Sequence, residues 1–291
     1  MAKLYPVLTL TLLASATLTG CMNIHVADNA FLRPDSATGY QYAGPVSDEK
    51  IQKASPGARL NNLELASGGQ QSLKGIEALP SRPLSGVSVL YFGGNLSHAD
   101  DTIPMLLRTT ASCAVPLYTF DYRGYGRTTG TPDTKVLKED ALKIYDEVRS
   151  RVQGKLIVHG HSLGSFMAGY IAQHRQPDGL VLETTATRVD EVVPLMTPWL
   201  LRPFTKVTYA PTILEIDNRV AVSQYRGKAL VISGEKDQQT PAELGQAVFN
   251  AIPSLDKQFM NIAGAGHSGL MARADVQQSY CAVVNQLAQT R

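Results

Sequence analysis

Cysteine is scarce, with three residues in 291, and neither sign of charge prevails: 27 lysines and arginines stand against 25 aspartates and glutamates, a net +2. The basic residues do not cluster, which argues against a nucleic-acid partner. Internal repeats and low-complexity blocks are missing too, so the chain does not read as a repeat array. The one long apolar run, Leu4 to Leu18, is too short and too threonine-rich to make a good spanning helix. What is present is 44% hydrophobic and 18% charged residues, ordinary for a soluble globular protein and enough to bury a sizeable core in one large domain.

At the N-terminus Lys3 precedes that apolar run and Thr19-Gly20-Cys21 follows it, the charge, apolar, small-residue order of a signal peptide. An uncleaved membrane anchor is the alternative. The end Leu18-Thr19-Gly20-Cys21 resembles the lipobox of bacterial lipoproteins, whose cysteine is acylated and becomes the mature N-terminus. That resemblance implies a signal peptide over residues 1–20, export, and a membrane tether through lipid (palmitate or similar acyl chains) on Cys21. Buried acyl chains are worth about 0.8 kcal/mol per CH₂, so several would anchor firmly. Met22, where an aspartate would retain such a protein, resembles lipoproteins sent on to the outer membrane, so the expected location is the bacterial cell envelope, on the outer membrane facing the periplasm. Two cysteines remain, Cys113 and Cys281, both expected on helices flanking a sheet. Export permits a disulfide between them, and two buried free thiols are the other reading.

Residues 21–58 are polar, broken by Pro34, Gly39, Gly44, Pro45, Pro56 and Gly57, and without sustained apolar period. They read as a lipidated tether with little structure of its own. From residue 59 to 291 the pattern changes. Arg59 to Leu65 and Ser72 to Leu79 flank the turn "ASGGQQ" as an antiparallel hairpin. Apolar runs then recur at 87–92, 115–120, 155–160, 179–184, 228–233 and 257–262, with helical segments expected at 98–112, 133–151, 163–175, 240–252 and 272–290. Asp133 is placed to cap the second helix. Short apolar strands alternating with helices predict an α/β fold: a mostly parallel eight-stranded sheet covered on both faces.

Within it, "KLIVHG" runs into Gly160-His161-Ser162-Leu163-Gly164 and on into a helical segment. This is G-x-S-x-G in a strand-to-helix turn, which holds a serine clear of its neighbours as a candidate nucleophile. A serine needs a base to take its proton and a carboxylate to orient that base. Of six histidines, His267 in "IAGAGHSGL" sits in a loop after the last strand, where this architecture assembles sites. Asp237 in "VISGEKDQQTP" lies just beyond the preceding strand, with Glu183 as the substitute acid. The order Ser162, Asp237, His267 is that of one hydrolase architecture. For the oxyanion, Leu163 N–H offers one donor, and the turn "YFGGNLSH" offers Asn95 N–H, or Leu96 or Gly94 one residue away.

Together "YFGGN", "FDYRGYGRTTG", "GHSLG", "VISGEKDQQTP" and "GAGHSGL" resemble the α/β-hydrolase fold family in order and approximate spacing. The resemblance implies a serine hydrolase with Ser162 as nucleophile, His267 as base and Asp237 as its orienting acid, working through an acyl-enzyme with no metal or organic cofactor. Gly93 departs from the His-Gly that often opens the oxyanion turn. Between two strands, residues 188–225 form an apolar, proline-broken insertion expected to act as a small lid, with Met196, Trp199 and Leu200 candidates for lining an acyl pocket. The first expectation is a small carboxylic ester or thioester as substrate; a peptide or amide is the alternative. A catalytically silent envelope lipoprotein used as a binding or scaffold module is the competing class. No protein partner is identified.

Overall fold

The computed structural model describes residues 22–68, 71–84, 86–196 and 204–290. The hairpin is β2 (Arg59–Ala66) and β3 (Ser72–Leu79), followed by β4 (Val87–Phe92), β5 (Leu117–Phe120), β6 (Lys155–His161), β7 (Gly179–Glu183), β9 (Lys228–Gly234) and β10 (Lys257–Ile262). They form one eight-stranded sheet in the order β10-β9-β7-β6-β4-β5-β3-β2, antiparallel only where β3 meets β2 and β5. All six residues of β4 are buried, which is why the strand is apolar at every position but Ser88. Its side chains still alternate: Leu90 and Phe92 join one core and Val87, Val89 and Tyr91 the other.

Helices α4 (Thr134–Arg151), α5 (Leu163–Arg175) and α9 (Ala242–Ala251) cover the first face, where Leu137, Ile144, Met167, Ile171 and Val248 pack. Helices α3 (Ala99–Thr109) and α10 (Ala274–Gln289) cover the other through Ile103, Leu106, Leu107, Tyr280 and Val284. Asp133 caps α4 by accepting from Val136 N at 2.7 Å. Cys113 and Cys281 are joined as a disulfide with Cα atoms 5.4 Å apart, so the free-thiol reading falls; Cys281 is on α10, while Cys113 lies just past α3 rather than on it.

Residues 22–58 hold more structure than the tether with little of its own that was expected of them. They hold β1 (Met22–Val26), α1 (Asp35–Thr38) and α2 (Asp48–Ala54), and bury Leu32 and Ile51 against the domain. The insertion contains α6 (Val189–Met196), β8 (Thr205–Tyr209), α7 (Pro211–Leu214) and α8 (Asn218–Val222), and β1 pairs with β8 as a separate two-stranded parallel sheet. Each of these pieces is too short to show a period, and each is held by tertiary contacts instead. Among the described residues no helix is long and apolar enough to cross a membrane.

The sheet order also places the site. From β4 the chain steps to β5 on one side and returns to β6 on the other, so the crevice opens beyond the carboxyl ends of β4 and β6.

Candidate active site

Ser162 stands between β6 and α5 with φ 51° and ψ −114°, a left-handed backbone that a non-glycine residue rarely adopts. Neighbouring contacts hold it there. Ser162 N donates to Glu183 O at 2.9 Å, and Ser162 O accepts from Ser165 N at 2.9 Å and from Ser165 Oγ at 2.6 Å. The tight turn explains its glycines. A Cβ on Gly164 would lie 2.0 Å from Phe92 O, and one on Gly94 would lie 2.8 Å from His161 Nδ1 and 3.3 Å from Ser162 Cβ. The end of β4, with its Gly93-Gly94 turn, therefore packs directly on the elbow.

Two loops complete the group. His267 Nε2 is 2.9 Å from Ser162 Oγ, and His267 Nδ1 is 2.8 Å from Asp237 Oδ2. Asp237 is 5% exposed. Its Oδ1 accepts from Gln239 N and Thr240 N at 2.8 and 3.0 Å, and its Oδ2 accepts from Thr240 Oγ1 at 2.7 Å. Burial opposes ionisation of this carboxyl, but the hydrogen bond from His267 and those from Thr240 outweigh it and hold Asp237 below the usual carboxylate range. Thr240 is a site residue that motif reading passed over; the D-x-x-T spacing of a local side chain to backbone turn is its only sequence signal.

Glu183, the substitute acid, lies elsewhere. Its carboxylate is 3.3 Å from His159 Nε2, with His159 completely buried against Tyr91 and Tyr280. Alignment is poor, since neither ring nitrogen of His159 has a hydrogen-bond partner among the described residues, so this is an electrostatic contact. Burial opposes the charge on Glu183 too, but His161 and His159 hold its carboxyl below the usual range. Burial also lowers His159, against the pull of Glu183. His161 itself reaches the neighbouring loop, its Nε2 lying 3.4 Å from His267 O.

The Gly93-Gly94-Asn95 turn follows β4, with Leu96 at φ 68° and Ser97 N bonded to Gly94 O at 3.1 Å. Leu163 is the first residue of α5, whose N-terminus favours negative charge. Met196 ends α6, while Trp199, Leu200 and Cys21 lie outside the described residues. No group of three or more His, Cys, Asp or Glu side chains among the described residues is placed to hold a metal.

Comparison with known proteins agrees with this architecture. A family model described as serine aminopeptidase, S33, matches residues 88–226, a stretch that contains Ser162 and stops short of Asp237 and His267. The lysophosphatidylserine lipase ABHD12 of Danio rerio is 28% identical over 176 residues, 56% of this chain and 46% of that protein. An uncharacterized membrane protein of Saccharomyces cerevisiae, YNL320W, is 29% identical over 157 residues, 52% of this chain and 54% of its own length. The chain thus spans about half the length of these relatives. Among solved structures, the Pyrococcus furiosus esterase Pf2001 superposes with a TM-score of 0.63 at 15% identity, covering 86% of this chain and 98% of that one. Sheet order and structural likeness together show that this chain has the α/β-hydrolase fold.

Proposed function

We propose that the protein is a membrane-anchored serine hydrolase that cleaves a carboxylic ester or thioester. One observation carries the reading: the unbroken hydrogen-bond line from Ser162 Oγ through His267 to a buried, ionised Asp237. Ser162 attacks the acyl carbonyl as His267 takes its proton, and the tetrahedral oxyanion is held by the N–H groups of Asn95 and Leu163. His267 then protonates the leaving group, and a water activated by the same ring releases the acyl-enzyme. The strained elbow is consistent with this use, since such backbone persists where surrounding contacts enforce it. An acyl ester is favoured as substrate because a relative is named as a lysophosphatidylserine lipase and a structural neighbour as an esterase. Anchoring through lipid on Cys21 rests on the Leu18-Thr19-Gly20-Cys21 resemblance, and the insertion at 188–225 serves as the lid over the acyl group.

The test is labelling of the whole chain with a fluorophosphonate probe, comparing wild type with Ser162→Ala and His267→Ala. Loss of labelling in both variants supports the reading. A folded wild type that takes no label sinks it and leaves the binding or scaffold module.

A further inference from the structure

The oxyanion turn is gripped from outside by the N-terminal segment. The Asn95 carboxamide is bonded at both ends: Oδ1 accepts from Arg33 N at 3.0 Å and from Tyr125 Oη at 2.8 Å, and Nδ2 donates to Phe31 O. Arg33 N also reaches Tyr125 Oη at 2.8 Å, closing a triangle around a tyrosine with no exposed surface. One peptide earlier in the turn, Tyr122 Oη donates to Gly93 O at 2.8 Å. At the far end of the turn, His98 Nε2 sits 2.8 Å from Asp35 Oδ1, while Asp35 Oδ2 accepts from Gly126 N at 2.8 Å. Tyr40 stacks on His98 with ring centroids 3.6 Å apart and passes its hydroxyl to Asp101.

A turn with two successive glycines and a left-handed leucine has little intrinsic preference for one orientation of its peptides. An oxyanion donor works only when it is aimed before charge develops. We infer that the segment from Phe31 to Tyr40 is a positioning strap for the oxyanion turn, and that the Asn95 carboxamide is the group through which it sets the direction of the Asn95 N–H. This rests on Asn95 N–H being an oxyanion donor, as proposed above. None of the strap side chains has to touch substrate. The segment meets the turn through the Asn95 carboxamide and the His98 ring, so its effect is on aim.

The experiment measures kcat, KM and the pH-rate profile of the full chain on p-nitrophenyl butyrate, for wild type, Ser162→Ala, Asn95→Ala, Asn95→Asp and Tyr125→Phe. Asn95→Ala keeps the backbone donor and removes its anchor. The expected result is a kcat about 10- to 100-fold lower, below the cost of losing a donor outright, with KM and the pH profile unmoved. Asn95→Asp, which still accepts from Arg33 N and Tyr125 Oη, recovers part of the loss, and Tyr125→Phe loses several-fold. A folded Asn95→Ala with wild-type kcat overturns the strap. If that variant does not fold, a wild-type kcat in Tyr125→Phe does so. Turnover that depends on Ser162 but ignores these variants overturns the strap alone, whereas wild type without Ser162-dependent turnover overturns the hydrolase reading and the strap with it.

Discussion

His267 Nδ1 lies 2.8 Å from Asp237 Oδ2. An ionised carboxylate can only accept, so Nδ1 carries the ring proton and Nε2 presents its lone pair to Ser162. Asp237→Asn puts an amide in that place, whose N–H₂ can oppose the tautomer. The expected outcome is a kcat lower by about 10⁴-fold on an activated ester. A loss below tenfold would move the orienting role away from Asp237.

Gly164→Ala tests the packing of the elbow against β4. Its new methyl would meet Phe92 O at 2.0 Å and Gly93 O at 2.7 Å, both backbone atoms in a central strand and its turn. Neither can swing aside as a side-chain tip would. We expect a loss of about 3 kcal/mol or more in urea unfolding, and a near-neutral result would mean that the elbow and strand are separated in solution.

The disulfide joins two residues 168 positions apart in the chain. Replacing both partners, Cys113→Ser with Cys281→Ser, is expected to lower the unfolding free energy by about 2–5 kcal/mol. Reductant should shift the denaturation midpoint of wild type and leave the double variant unmoved.

Acid should destabilise the fold in two stages. Burial lowers His159, so the unfolded chain binds the proton first, and stability complete above the unfolded value of about 6.5 is lost as pH falls towards the folded one. Asp237 and Glu183 are depressed too, so their contributions are full above the unfolded carboxylate range of about 4 and disappear as pH falls through their folded values. Calorimetry across pH reads both stages. His159→Gln should flatten the first stage only, and an unchanged slope there would assign it to another group.

The sheet was legible because burial on both faces makes β4 and the middle of β6 mostly apolar, and the elbow because the G-x-S-x-G turn requires glycine at fixed places. Loops carrying Asp237 and His267 followed from strand order, and the structure does bring both to Ser162. The N-terminal segment was not legible. Strand β1 has five residues and its partner lies far along the chain, with His25 bonded to Thr208 across 183 positions, so no local period marks it. Thr240 and the Asn95 carboxamide were missed for a related reason: each serves through a side-chain bond that only the folded chain assembles.

The Cys113–Cys281 bond has a covalent consequence as well. Ser162, Asp237 and His267 all lie inside the ring of chain that it closes, as does the whole insertion between β7 and β9. A single peptide cut anywhere from residue 114 to 280 opens the ring without dividing the molecule. A protease that nicks the insertion therefore leaves the serine and its two partners on two fragments that still travel as one molecule until a reductant parts them.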